Sequence, residues 1–430
     1  MIKKNPDTTA NMRKVVGTDM TRRRLVLASG VAMAAAVVGA PTVLRAANKP
    51  IVIGHQLDQT GILAVYAPWY DRAAKGAIDR INKAGGIDGR QVKYVVENTA
   101  SKVDIGLAAI EKLVKREESD FILGALHSGI ALGSTKVCKS LNTLYFSAAH
   151  AEEVTGSGGN RFVFRVSSQS ESEGEATATK ELTSELGSKW SIFYADYAWG
   201  QSHARVWRER LKRNGAEILS EVAMPLGASD LVPYLSKIHR DTQACVVALF
   251  ASDAVGFIQQ REALGFNFKL MGMQGLAAGI PPDVLKLAAG FYVPESLPRR
   301  LKDKDTPHNK LLRQTVLADE NGKEIGGNQW LTESYYWVAW THVNLIKKAV
   351  EASGWKSKAD NLKMIEAMEG MKLEESDDFP QGSTTIRAAD HQAFVDLHLT
   401  QIQSDGFAKV IRKLAPKQYP APIDYRKETL

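Results

Sequence analysis

A repeated pairing of a short apolar run with an amphipathic segment is the feature that most constrains this fold. The segment Tyr70–Lys83 is one example, because Ala74, Ala77, Ile78 and Ile81 fall on one face of a helix. Four apolar runs alternate with such segments in the first part of the chain: residues 51–53, 92–97, 121–123 and 144–146. The pattern restarts after residue 166, with runs at 190–194, 222–224, 244–250 and 269–275. This spacing predicts two successive α/β halves, each built on a parallel sheet with right-handed connections.

The stretch from Gly124 to Thr155 predicts where a ligand binds. It reads as loop, helix, strand and loop, directly after the apolar run 121–123. Ser128 stands in the first loop and the turn 147–150 in the second. In a parallel sheet both loops open at the carboxyl edge, where doubly wound folds bind ligands. Backbone N–H groups at a helix start beside small polar residues suit a carboxylate.

Length and charge narrow the class of protein. The chain has 430 residues, of which 44% are hydrophobic and 24% charged, enough for two domains with full cores. Its formal net charge of +7 is concentrated at the start, because residues 1–47 hold eight Lys or Arg and two Asp, a net +6. The remaining +1 for residues 48–430 argues against nucleic-acid binding.

Residues 1–47 have the three parts of an export signal: a basic opening, the apolar run Leu25–Ala40 and a small-residue exit. The run is shorter than the roughly 20 residues that span a bilayer. The preceding Thr21–Val26 resembles a twin-arginine signal, with an ordinary secretory signal and a retained anchor as alternatives. We expect a periplasmic protein, cleaved near residues 46–47.

Residue spacing gives no support for catalysis or a bound cofactor. His127 adjoins Ser128, but no G-x-S-x-G turn surrounds that serine. No histidine pair has helical metal-ligand spacing. Cys138 and Cys245 are expected to be core residues in different lobes and to form no disulfide. We therefore expect neither an enzyme nor a cofactor nor a metal site.

Several short motifs occur in one order along residues 50–405. They are Thr60–Gly61, Ala84–Gly89, Gly124–Leu132, the run to Val154–Thr155, Asp196–Gly200, Ala263–Phe266 and Asp390–Gln392. Together they resemble the type I periplasmic solute-binding proteins of branched-chain amino acid ABC importers, the Leu/Ile/Val-binding family. That resemblance implies an α/β fold of two doubly wound parallel-sheet lobes joined by a three-crossing hinge.

The resemblance also implies a division of the chain. Lobe 1 would comprise residues 48–167 and 295–385, and lobe 2 residues 168–294 and 386–430. The crossings would lie near residues 165–169, 290–296 and 383–388. The run 394–402 alternates apolar and polar residues and is expected to form an edge strand of lobe 2.

Six pocket positions follow from the resemblance. Ser128 matches the serine that binds the ligand carboxylate, and Ala148 the position whose carbonyl accepts from a ligand ammonium. The other four are the aromatic wall residues Tyr66 and Trp199, His150 at a usual threonine or serine position, and Gln274 at a usual acidic position.

The last two positions depart from the family pattern, and the departures bear on the ligand. Gln274 cannot supply the counter-charge that a buried ammonium needs. An imidazole at His150 can donate to a carboxylate, with added charge if it is protonated. Tyr66, Trp199 and Phe250 could enclose a ring. These residues favour an organic acid, with amino acids and amides or ureas as alternatives.

The expected partners are the small solute and the permease and ATPase subunits of an ABC importer. The chain is expected to act as a monomer. A sensing module for a separate receptor is the alternative from another functional class, because the same fold can report ligand capture to a signalling partner.

Overall fold

The computed structural model describes residues 49–332, 335–416 and 418–428. The predicted export signal at residues 1–47 lies outside this part of the chain, and it stays a prediction. Within the described ranges, no helix has the length and apolar character needed to cross a membrane.

The first sheet has five parallel strands, as the apolar runs predict. Their spatial order is β2-β1-β3-β4-β5. Every residue of the interior strand β1 is buried, which explains why its run is apolar. The strands are β1 (Ile51–Leu57), β2 (Val92–Asn98), β3 (Phe121–Leu123), β4 (Leu144–Phe146) and β5 (Val163–Phe164).

The second sheet has a parallel core of five strands from the second half of the chain. These are β6 (Lys189–Ala195), β7 (Glu217–Met224), β8 (Ala244–Ala248), β9 (Lys269–Gly272) and β10 (Tyr292–Glu295). Their neighbours run in the order β10-β9-β8-β6-β7, and all pair in parallel. The predicted restart of the βα pattern is therefore confirmed.

The last five strands are antiparallel additions. A small three-stranded sheet contains β11 (Lys372–Leu373), β12 (Thr384–Ile386) and β13 (Ala393–Phe394). Then β14 (Leu397–Ile402) pairs with β10, and β15 (Ala408–Leu414) pairs with β14. The prediction of an edge strand at 394–402 is therefore wrong, because β15 covers its outer side.

Twelve α-helices occur in the described ranges: α1 (Ala67–Lys83), α2 (Val103–Lys115), α3 (Ser128–Ser140), α4 (Ser170–Thr177), α5 (Lys180–Leu186), α6 (Ala198–Arg213), α7 (Val232–Leu235), α8 (Ala251–Ala263), α9 (Pro282–Leu285), α10 (Pro307–Val316), α11 (Tyr336–Ser353) and α12 (Asn361–Met368). The helical region between β5 and β6 is divided between α4 and α5. The hydroxyl of Thr179 accepts from the N–H of Leu182 and starts the second of these helices.

Two lobes result from the way the helices pack. Helix α1 packs against α10 and α11, so the chain beyond β10 returns to the side of the first sheet. Helix α6 packs on β6, β7 and β8 of the second sheet. The chain passes between the two sides after β5, after β10 and between β13 and β14. The numbered lobe boundaries stay a prediction.

Arg165, which directly follows β5, is a fully buried cation at the first of these passages. Its Nη1 donates to the carbonyl oxygens of Ala149 at 2.8 Å and Ala151 at 2.7 Å. Its Nε donates to Oε1 of Gln392 at 2.6 Å, and its backbone pairs with the segment around residue 392. Burial lowers the pKa of this guanidinium to about 10, so it stays charged at neutral pH. Arg165 thereby joins the loop after β4 to the segment that enters β13.

We expect Arg165→Met to lower the free energy of unfolding by about 3 kcal/mol or more. The change leaves several buried acceptors without a donor, and each costs about 1–3 kcal/mol. Urea denaturation of residues 48–430 measures the effect. The control is Lys115→Ala, which removes an exposed pair with Glu111 and should change stability by less than about 0.5 kcal/mol. A loss from Arg165→Met no larger than that of the control would contradict this role.

Candidate ligand-binding site

A narrow cavity of about 10 Å³, the space of about one water molecule, lies where loops from the two sheets meet. Its lining residues are Leu63, Tyr66, Leu126, His150, Tyr197, Trp199, Phe250, Gln274 and Tyr335. Most of them follow the carboxyl ends of parallel strands: two follow β3 and β4, and four follow β6, β8 and β9. This is the edge at which open α/β sheets bind ligands.

Four of the six predicted site residues line this one cavity: Tyr66, His150, Trp199 and Gln274. Phe250, predicted to help enclose a ring, lies there too. Ser128 and Ala148 are buried but are not among the lining residues. Ser128 is the first residue of α3, and its Oγ accepts from the N–H of Ala151 at 3.3 Å. The predicted contacts of Ser128 and Ala148 with a ligand stay predictions.

Five aromatic side chains form most of the wall. Tyr66 meets Tyr335 edge-on with ring centroids 5.5 Å apart. Trp199 meets Phe250 in the same manner at 5.4 Å, and Tyr197 lies beside Trp199. Such walls favour flat apolar groups over hydrated ones. Neither Tyr197 nor Tyr335 was predicted, although Tyr197 belongs to the same loop motif as Trp199.

Hydrogen bonds to its side chain and its backbone hold Gln274 in place. Its side chain donates to Oγ of Ser168 and accepts from Oγ of Ser296 at 2.9 Å. The backbone carbonyl oxygen of Gln274 accepts from the hydroxyl of Tyr335 at 2.9 Å. The next residue, Gly275, has φ +98°, and a Cβ there would stand 3.0 Å from the hydroxyl of Tyr66. The position after Gln274 therefore requires glycine, which lets the backbone approach the cavity closely.

His150 is the polar side chain in the wall that keeps bonding capacity. The residue is 1% exposed, and its Nδ1 lies 3.4 Å from Oε1 of Glu173. Its Nε2 is buried and has no hydrogen-bond partner in the described ranges. Burial, with Arg165 and His203 adding to it, holds the pKa of His150 well below its usual range. The imidazole is thus neutral at neutral pH and can donate a hydrogen bond without adding charge.

Glu173 is a buried acid beneath the wall that sequence reasoning missed. It belongs to α4 and is fully buried. Burial raises the pKa of this carboxyl to about 8, although the N–H of Gln274 donates to its Oε2 at 3.3 Å. Glu173 is one of several acids in the run Ser170–Glu175, and no sequence signal separates it from its partly exposed neighbours.

The groups behind the cavity wall carry charges of both signs. None of its nine lining residues carries a carboxylate. Arg165 lies behind the backbone of residues 149–151, where its partners are neutral carbonyls, and the carboxyls of Asp390 and Glu152 also act on its charge. Below about pH 8 the carboxyl of Glu173 is mainly protonated.

Asp58 is a buried acid whose Oδ2 accepts from the N–H of the lining residue Leu126, and burial raises its pKa to about 6. A negative ligand group is therefore favoured on the side of Arg165 and disfavoured on the side of Asp58.

Comparison with known proteins identifies the family. Residues 50–407 match the family model described as periplasmic binding protein. The chain belongs to the periplasmic binding protein family. The leucine-specific-binding protein of Salmonella typhimurium is 22% identical over 306 residues, which cover 70% of this chain and 79% of that protein. The predicted family is confirmed.

Solved structures of periplasmic binding proteins confirm the fold. A solute-binding protein of an R. palustris ABC transporter, in complex with benzoate, has a TM-score of 0.75 at 18% identity. The comparison covers 87% of this chain and 99% of that one. A branched-chain amino acid substrate-binding protein of Streptococcus pneumoniae, in complex with isoleucine, has a TM-score of 0.71 at 20% identity and covers 86% and 100%. The predicted α/β fold with two doubly wound lobes is confirmed.

Family membership places the chain among substrate-binding proteins of ABC transport, which bind solutes and are not enzymes. The same family implies a periplasmic location. Cleavage of residues 1–47 and the oligomeric state stay predictions.

Proposed function

We propose that this periplasmic binding protein captures a small organic acid, preferably one with an aromatic ring, between its two lobes. It then delivers that acid to the permease and ATPase of an ABC importer. Because the cavity has a volume of about 10 Å³, the lobes are expected to move apart to admit the acid and then to close around it about their hinge. The closed form is the one that the membrane partner recognises.

One observation carries the choice of ligand. The wall of the cavity contains five aromatic side chains and a histidine whose Nε2 has no hydrogen-bond partner in the described ranges. No carboxylate belongs to this wall. An Nε2–H of His150 could donate to a carboxylate while the ring of the ligand lies among Tyr66, Trp199 and Phe250. A neutral aromatic compound would use the walls but would gain nothing from the charge of Arg165.

An amino acid fits this lining less well. A buried ammonium needs a counter-charge or full hydrogen bonding. Gln274 is neutral, and both ends of its amide already have hydroxyl partners. Glu173 lies behind His150 and Gln274, and it is mainly protonated at neutral pH.

The comparisons include both ligand classes, so branched-chain amino acids are the second candidate. Structural neighbours from R. palustris are complexes with benzoate and with 4-hydroxybenzoate. The Streptococcus pneumoniae neighbour is a complex with isoleucine, and the relative from Salmonella typhimurium is named for leucine.

A thermal-shift screen of residues 48–430 separates the candidates. Benzoate, benzamide and benzylamine share a ring and differ in charge, and leucine represents the second candidate. A ligand present at 100 times its dissociation constant stabilises a protein by about 2.7 kcal/mol. We expect benzoate to raise the melting temperature more than benzamide does, and benzylamine to have no effect. Stabilisation by leucine without stabilisation by benzoate would contradict the organic-acid proposal.

Substitutions at the cavity test the roles of individual residues. We expect His150→Ala and Ser128→Ala each to weaken binding of benzoate at least tenfold, about 1.4 kcal/mol, because each removes a donor to the carboxylate. Gln274→Glu should also weaken it, by like-charge repulsion. Calorimetry measures the affinities, and circular dichroism checks the fold.

The matched control is His239→Ala, because His239 is exposed and remote from the cavity lining. Its affinity should equal that of the unaltered protein. If His150→Ala and Ser128→Ala also left the affinity unchanged, the assignment of the carboxylate to these two residues would be wrong.

A further inference from the structure

Glu173 and His150 form a buried acid–imidazole pair at the edge of the cavity. Oε1 of Glu173 lies 3.4 Å from Nδ1 of His150, and its Oε2 accepts from the N–H of Gln274. No lysine or arginine in the described ranges lies within salt-bridge distance of Glu173. The imidazole of His150 is thus the titratable partner of this acid.

The number of protons bound to Glu173 and His150 together decides whether Nε2 of His150 carries a hydrogen or a lone pair. If Glu173 is ionised, the neutral imidazole must place its hydrogen on Nδ1, because a bare Nδ1 would face a carboxylate oxygen. Nε2 then carries a lone pair. If the pair holds one more proton, the proton between the two groups lies on Glu173 or is shared with Nδ1. The hydrogen of the imidazole is then on Nε2.

Only the second state suits an anionic ligand. A carboxylate in the cavity would accept a hydrogen bond from Nε2–H of His150, whereas the lone pair of the first state would repel it. The burial of Nε2 makes this difference large, because water cannot rotate in to bridge two acceptors.

We propose that Glu173 is a positioning residue that sets the tautomer of His150, so that a carboxylate ligand binds together with one proton whenever Glu173 is ionised beforehand. This inference rests on the proposed function for its ligand. The proton joins the pair at Glu173 or Nδ1, and the hydrogen on Nε2 serves the ligand.

The other groups that face the pair keep one charge state from pH 6 to 9. Arg165 follows β5 and has its pKa at about 10, and His203 of α6 has its pKa lowered to about 3 by burial. The pKa of Tyr335, whose ring meets that of His150, is raised well above 10. A titration in this window therefore reports the pair, whose acid has its pKa at about 8.

Histidine-labelled ¹⁵N NMR of residues 48–430 without ligand tests the tautomer directly. The signals of His150 are those missing from a His150→Phe variant. We expect the hydrogen to move from Nε2 to Nδ1 as pH rises from 6 to 9, and we expect no such change in Glu173→Gln. An unchanged tautomer in the unaltered protein, or the same change in Glu173→Gln, would overturn the proposal.

Calorimetry with benzoate tests the coupling to binding. Above the pH at which Glu173 ionises, the dissociation constant should rise tenfold per pH unit, and titrations in phosphate and Tris should show uptake of one proton. In Glu173→Gln the affinity should be constant from pH 6 to 9. A merely structural role for Glu173 would lower affinity at every pH and leave the slope unchanged, which would overturn the proposal.

The NMR titration and the calorimetry together separate this inference from the proposed function. If benzoate fails to bind at any pH, the ligand proposal has failed, and the NMR titration still decides whether Glu173 sets the tautomer of His150. If benzoate binds with no dependence on pH, the ligand proposal stands and the proton coupling is wrong.

Discussion

The guanidinium of Arg165 is the interaction on which the geometry of the cavity depends. It lies at the first passage between the sheets and donates to two carbonyl oxygens of the loop after β4 and to Gln392. The same loop carries His150, so the position of the site histidine follows from these bonds. A buried cation is costly unless its donors are used, and here neutral acceptors use them. The carboxyls of Asp390 and Glu152 also act on its charge.

That positive charge and the placement of the acid explain the character of the cavity. Glu173 is separated from the wall by His150 and Gln274, and burial keeps it mainly protonated at neutral pH. Gln274 contributes an amide whose partners are hydroxyl groups. The wall thus has aromatic surface, one adaptable ring nitrogen and no negative charge of its own. Such a surface complements a carboxylate attached to a flat apolar group.

Much of the fold was predictable because parallel strands are buried on both faces and leave continuous apolar runs. Strands were harder to predict where only one face of the strand is buried. Strand β15 contains Lys409, Arg412 and Lys413 and is largely exposed, so it has no such run, and β14 was mistaken for the edge. The division between α4 and α5 depends on a local cap at Thr179, which a hydrophobic pattern does not report.

The site was predictable only where a residue follows a strand or matches a family motif. Tyr66, His150, Trp199 and Gln274 do so, and the structure brings them to one cavity. Tyr335 lies just before α11 and reaches the wall only because that helix packs back on α1. Glu173 is likewise brought under His150 by tertiary packing. Contacts of this kind have no signature in a single sequence.

The most direct test of the account is a crystal structure of residues 48–430 grown with benzoate. We expect the carboxylate of the ligand to lie within hydrogen-bond distance of Nε2 of His150, with its ring among Tyr66, Trp199 and Phe250. A benzoate bound outside this cavity, or one whose carboxylate faces away from His150, would contradict it.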